Sequence, residues 1–255
     1  RMAFEPSING IHKILLQGED LFLMIAIQGA TIYTMEGGIM HGGVILVEEQ
    51  FIQAVGEELA VPAGATVVEA QGKFILPGLI DAHTHIGTYC EGFPAEMEDA
   101  NDMVNPVAPQ LRILDAIYQD DTAFADALAG GVTCVQTLPG SGNVIGGQGA
   151  VIKTVTSRGG RKLVVEEMLV RAPSSMKAAL GENPVRVYKE KGKLPNTRMG
   201  SAALMRQALV DADNYRNKLR QAQAKGEAGE RCLMHEALLP VLSGELPLCV
   251  HAHRC

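Results

Sequence analysis

Residues Ile75–Gly87, ILPGLIDAHTHIG, place two histidines one residue apart, directly after an apolar run that a Pro-Gly pair interrupts. In a β-strand, residues two apart share a face and stand about 6.6 Å apart along the chain. With LIDAHTH as a strand, Asp81, His83 and His85 face one way. A second pair, His251 and His253, ends another apolar run, LPLCVHAH. Two imidazoles on one strand face can take up the same divalent cation, with ring nitrogens about 2.0–2.1 Å from zinc. Asp81, one step back, can support them from behind. A single His-x-His reads equally well as a pair of surface or core histidines. Four histidines at strand ends would leave many ring nitrogens to satisfy without a metal. A metal site shared by the two strands is the expectation.

Away from that stretch the chain changes texture. Met24 to Glu69 carries β-branched runs (IAIQGATIYT, GGVILVEE, FIQAVGE) cut by glycines, which predicts a small β domain over residues 24–76. From residue 77 to 255, strands and helices alternate. LIDAHTH, VTCVQTL, AVIKTV, SSMKAAL and LPLCVHAH read as strands, and DDTAFADALAGG and VVEEMLVRA as helices, with SSMKAAL also readable as a helix start. SAALMRQALVDADNYRNKLRQAQAK has Leu204, Ala208, Leu209, Ala212 and Tyr215 at helical spacing, with Ser201 as the expected cap. This order implies parallel βα units. Residues 1–23 do not lead into the strand pattern; they are expected to be a translated leader or disordered extension, with Met24 as the true start. CVHAHRC stops the chain on what reads as a buried strand, so a C-terminal truncation is expected.

Composition narrows the class. With 22 Lys and Arg against 29 Asp and Glu, the net charge is −7, and no basic cluster with interleaved aromatics points to nucleic acid. Five scattered cysteines without a C-x-x-C pair read as reduced thiols. The N-terminal apolar stretch is broken by Glu19 and Asp20, too short and too charged for a bilayer span. A cytoplasmic protein with no membrane partner is expected.

ILPGLIDAHTHIG, preceded by a small β region, resembles the opening of the amidohydrolase superfamily, and the resemblance runs in order from Met24 to His253. Its finer match is to imidazolonepropionase-like and Xaa-Pro-dipeptidase-like hydrolases, through GGVTCVQTLPGSGNVIGGQG and MKAALGENP. The resemblance implies an α/β fold: a partial (β/α)8 TIM-type barrel of about five of eight strands, with a small N-terminal β-sandwich domain. It implies His83 and His85 as first-strand metal ligands and His251 as the fifth-strand ligand. Lys177 matches the carbamylated, bridging lysine of two-metal members, with Glu182 as its rival and Lys153 a third choice; Lys177 as an ordinary surface lysine stays open. One or two divalent ions, zinc foremost, would activate a water that attacks an amide or cyclic amide. The catalytic base, an aspartate on a later strand, is absent from this chain.

The implied activity is hydrolysis of a C–N bond in a small molecule, by a full-length protein that is a homo-oligomer. The alternatives are imidazolonepropionase or an amine deaminase with one metal, or a non-catalytic paralogue. The fragment as given is expected to be inactive. PGSGNVIGGQG precedes a strand and so is no phosphate loop; it is a turn, or a substrate-facing loop offering Asn143 and Gln148. His253, Tyr89 and Arg254 are further substrate candidates. The acidic loop carrying Glu91, Glu96, Glu98, Asp99 and Asp102 reads as a solvated face or a lid.

Overall fold

The computed structural model describes residues 24–94 and 98–254. The expected leader at 1–23, Glu96 of the acidic loop and the final Cys255 lie outside the described residues. The chain forms two compact units, one holding the segment up to Leu79 with short stretches near 130 and 160, the other holding the rest.

The first unit is one mixed sheet. β1 (Met24–Tyr33), β2 (Ile39–Glu48) and β3 (Phe51–Gly56) run antiparallel, while β4 (Thr66–Glu69) and β5 (Phe74–Ile75) join β1 in parallel. Ile25, Ile27, Ala30, Ile32, Ile45 and Val47 pack on one face, and Ala26, Val44 and Leu46 on the other. The switch from odd to even positions along β1 comes from a bulge at Gly29, whose φ of 86° suits a residue without a side chain. The described strands between 24 and 76 make a single sheet, so the second layer of the expected sandwich is not among them.

The second unit begins along β6 (Leu79–Thr84) and contains α1 (Thr122–Ala129), most of β7 (Val132–Thr137), β8 (Ile145–Gln148) and β9 (Ala150–Lys153). After the short hairpin of β10 (Ser157–Arg158) and β11 (Arg161–Lys162) come α2 (Val165–Met168), β12 (Leu169–Arg171), β13 (Met176–Gly181), α3 (Glu182–Glu190) and α4 (Arg198–Ala224). α5 (Leu233–Glu236), α6 (Leu239–Ser243) and β14 (Leu248–His253) follow. One sheet has the order β12-β9-β7-β6, another β14-β13-β8.

These α/β sheets do not close into a barrel among the described residues. β6, β12, β14 and β8 each end a sheet, whereas closure needs every strand flanked on both sides. β13 and β14 run parallel, and so do β6 and β7, where the Leu79 amide donates to the Gly131 carbonyl and the Leu138 amide to the Thr84 carbonyl; β9 runs antiparallel to both β7 and β12, and β8 antiparallel to β13. AVIKTV is therefore a strand, but not the next parallel one. At Gly149 the extended run leaves one sheet and enters the other, and a side chain there would stand 2.4 Å from Leu138 Cδ2. The predicted helix VVEEMLVRA is helical only to Met168, then becomes β12.

α4 covers β13 and β8. Leu204, Ala208 and Ala212 meet Val144, Ile145, Met176, Leu238 and Leu246 in one apolar cluster. Its cap is Thr197, whose Oγ1 accepts from the Gly200 amide at 3.1 Å; the expected cap, Ser201, is buried inside the first turn. Asp121 begins α1 by accepting from the Ala123 amide, and its second oxygen accepts from the Gly87 amide at 2.9 Å. No described helix is long and apolar enough to cross a membrane.

The Pro-Gly pair of the opening stretch now has a physical reason. A Cβ on Gly78 would lie 2.2 Å from Thr133 Oγ1, so β6 can enter beside β7 only with glycine there. Gly78→Ala should destabilise the chain by about 1–3 kcal/mol through overpacking. Urea denaturation measures this, and adding Thr133→Ala should return part of the loss.

Candidate metal centre

Register places the site. In the parallel β13–β14 pair, Lys177 lies opposite Cys249, Ala179 opposite His251, and Gly181 opposite His253. These six residues share one face, because alternate strand residues point the same way. Ala179 and Gly181 are small, which leaves room above Lys177 for its long side chain. The Lys177 amine reaches across to His83 on β6, with Nζ 3.2 Å from Nε2. Lys177 is 1% exposed, and burial pushes its amine down to about 8.

β6 and β7 set the other side. The Leu138 amide donates to the Thr84 carbonyl at 3.0 Å, continuing the strand contact past the end of β7. The Leu138 carbonyl then accepts from His85 Nδ1 at 2.8 Å. A carbonyl can only accept, so neutral His85 carries its proton on Nδ1 and keeps the Nε2 lone pair free. The His83 and His85 rings meet edge-on at 5.4 Å. His251 Nδ1 sits 2.5 Å from Ser141 Oγ, and its ring lies 6.0 Å from that of His253.

All three central imidazoles are held below the usual histidine value, burial being the largest cause. The Lys177 amine adds to this at each of them, and for His85 the Leu138 hydrogen bond pulls partly back. At neutral pH these rings are uncharged and each has a nitrogen lone pair to offer. That donor chemistry, neutral imidazoles around a buried amine of reduced basicity, fits a divalent cation. Among the described residues no three His, Cys, Asp or Glu side chains already converge on one ion position. The group that closes on His83 is the lysine.

The remaining candidates fall in different places. The Asp81 carboxylate accepts from the His83 backbone amide at 3.0 Å, which holds the end of β6. Glu182, first residue of α3, pairs with Arg254 Nη1 at 3.0 Å and lies 3.9 Å from His253 Nε2. Asn143 is buried, with its amide nitrogen directed to the carbonyls of Asp102 and Asn105 and to the Tyr188 hydroxyl. It fastens the loop. Gln148 donates to the Pro109 carbonyl at 3.3 Å, and Lys153 stands opposite Cys134 between β9 and β7. Sequence reasoning missed Ser141, the Leu138 carbonyl and Cys249. For Ser141 the available signal was a hydroxyl flanked by glycines in PGSGN, where backbone can pack closely on both sides.

Comparison with known proteins bears on this geometry. No protein-family model matches the chain. It is 30% identical over 228 residues to the amidohydrolase tasK of Hapsidospora irregularis, a match covering 83% of this chain and 23% of that protein. The crystal structure of an amidohydrolase from Thermotoga maritima superposes with a TM-score of 0.83 at 40% identity, covering 91% of this chain and 58% of that one. The chain belongs to the amidohydrolase superfamily. A 5-methylthioadenosine/S-adenosylhomocysteine deaminase of Desulforamulus reducens is a further relative of this amidohydrolase chain, 28% identical over 170 residues, 61% of this chain and 37% of the deaminase. The chain thus spans about a quarter to three-fifths of the lengths of these relatives. Their chemistry as a group is hydrolysis at C–N bonds.

The buried amine gives this amidohydrolase chain a pH signature. Unfolded, Lys177 holds its proton up to about 10.5; folded, it gives the proton up near 8. Between those values the unfolded state binds more protons, so stability rises with pH. The Lys177 contribution to unfolding free energy should increase from pH 8 to 10 by on the order of 2–3 kcal/mol, read as the difference between wild type and Lys177→Met, because the Cys90 and Cys134 thiols, both raised by burial, oppose it in the same range. Above pH 10, Tyr188, pushed up to about 12 by burial, works the other way, since the folded state then retains the extra proton.

Proposed function

We propose that the protein hydrolyses a C–N bond in a small molecule, a cyclic amide or a short acylated amino acid or dipeptide, in a metal-dependent (β/α)8 enzyme to which this chain contributes strands. The observation that carries this reading is the Lys177 amine, buried and 3.2 Å from His83 Nε2, in an amidohydrolase chain. His83, His85 and His251, with Lys177, would hold one or two divalent cations, zinc foremost. Such a cation supplies Lewis-acid polarisation of the scissile carbonyl and lowers the pKa of a water toward about 7.

The chain's own residues prepare that chemistry. Leu138 fixes the His85 ring in the tautomer that offers Nε2. Lys177 has a substantial neutral fraction near pH 8, and the neutral amine is the form that captures carbon dioxide. Nζ bonds to the carbon, one amine proton leaves, and the resulting carbamate offers two oxygens sharing one negative charge where a lysine offered none. Proton transfer to the leaving nitrogen is assigned to groups beyond these strands, because Asp81 holds the His83 backbone and Glu182 is paired with Arg254.

The test uses the protein as its own gene produces it. Cyclic amides and N-acyl amino acids should be hydrolysed, and a chelator should abolish turnover. Two cations per protein and a carbamate signal after labelling with ¹³C-bicarbonate are expected, both lost in Lys177→Ala. One cation with no carbamate would favour the one-metal reading. No bound cation and no turnover on any of these substrates would end the proposal.

A further inference from the structure

The two histidines that are hydrogen-bonded through Nδ1 are held in chemically different ways. His85 meets a carbonyl, which can only accept. His251 meets the hydroxyl of Ser141, which can accept or donate. If the hydroxyl accepts, Nδ1 carries the proton and Nε2 has a lone pair; if it donates, Nε2 carries the proton and offers none. The hydroxyl proton rotates, so the choice falls to what faces the other ring nitrogen, while the loop that holds the oxygen against Nδ1 is tightly fixed.

Ser141 is pinned from both sides. The Gly140 amide donates to the Ala100 carbonyl at 2.7 Å, and the Gly142 amide to Asn101 Oδ1 at 2.8 Å. A Cβ on Gly140 would lie 2.1 Å from Asn101 Nδ2, and one on Gly142 would lie 2.9 Å from Asn101 Oδ1. The glycines are what admit Asn101 against the backbone. Asn101 Nδ2 donates to the Tyr89 hydroxyl at 2.9 Å, and the Tyr89 ring stands edge-on to His85 at 5.5 Å. Asn143 ties the same two loops together again through Asp102 and Asn105. The segment from 99 to 105, which carries Asp99 and Asp102, is thus a bracket that joins the His85 and His251 ends of the site through Tyr89 and Ser141. The Lys177 amine lies on the same strand face as His251. Below about pH 8 that amine keeps its proton and can only donate, so a ring N–H turned toward it would set two donors against each other, whereas a lone pair would not.

We propose that Ser141 is a positioning residue that selects the tautomer of His251, accepting from Nδ1–H so that Nε2 keeps its lone pair for a divalent cation. The cation rests on the function proposed above; the tautomer does not. The experiment combines ¹⁵N spectra of the His251 ring in the metal-free protein with Zn²⁺ titration. The wild-type ring should show Nδ1 protonated. Ser141→Ala should lose that preference and weaken Zn²⁺ binding about 10–100-fold. Ser141→Thr, which keeps the hydroxyl, should restore both, and Asn101→Ala should weaken binding by less than Ser141→Ala. A wild-type spectrum with Nε2 protonated would overturn the proposal without any variant having to fold, and so would a Ser141→Ala protein that binds Zn²⁺ as the wild type does. A wild-type protein that binds no Zn²⁺ would instead remove the metal-dependent reading, while the metal-free spectrum still decides the tautomer.

Discussion

A primary amine buried to 1% exposure, with an imidazole nitrogen 3.2 Å away, is the constraint around which the second unit is arranged. Burying a potential cation without an anion is expensive, and a protein reduces the cost by making the group less basic. Among the described residues no carboxylate pairs with the Lys177 amine; the group that pulls its basicity partly back up is the Cys249 thiol across the ladder. The amine is therefore poised to be neutral or to be modified. A lysine kept only for stability would be better placed at the surface.

The surrounding imidazoles follow the same logic. Each is depressed by burial and by the nearby amine, so the cluster avoids accumulating positive charge at neutral pH. Uncharged donors gathered around a weakly basic amine cost folding energy, and the chain offsets that cost through α4 and the apolar cluster at Val144, Met176 and Leu238. The site and the core lie back to back on β13. Met176 and Ala178 face the interior, while Lys177 and Ala179 carry the chemistry.

Much of this was legible in the sequence. LIDAHTH and LPLCVHAH were readable as strands because apolar residues end in histidines at spacing two, VTCVQT because of its β-branched run, and α4 because its apolar residues recur at helical spacing. Pairing was not legible. AVIKTV looks like any buried strand, and only Gly149, where a side chain would strike Leu138, lets one extended run turn from a sheet with β13 to a sheet with β7. VVEEMLVRA carries a helical period across a boundary that contacts between β12 and β9 impose from outside. Ser141 stayed hidden because its partner lies 110 residues away, and Asn143 attracted a substrate role because its amide partners are backbone carbonyls of a distant loop.

The bulge in β1 has a consequence of its own. Upstream of Gly29 the inward residues are Ile25 and Ile27, and downstream they are Ala30 and Ile32, so one surplus residue resets the parity of the strand. The sheet would therefore tolerate a change of identity in this strand far better than an added residue. Adding one more residue just after Gly29 would turn everything beyond it inside out, Ile32 joining the face of Ala26 and Tyr33 taking its place in the apolar cluster, whereas removing the surplus residue would leave the two faces as they are. In this small sheet, counting matters more than chemistry.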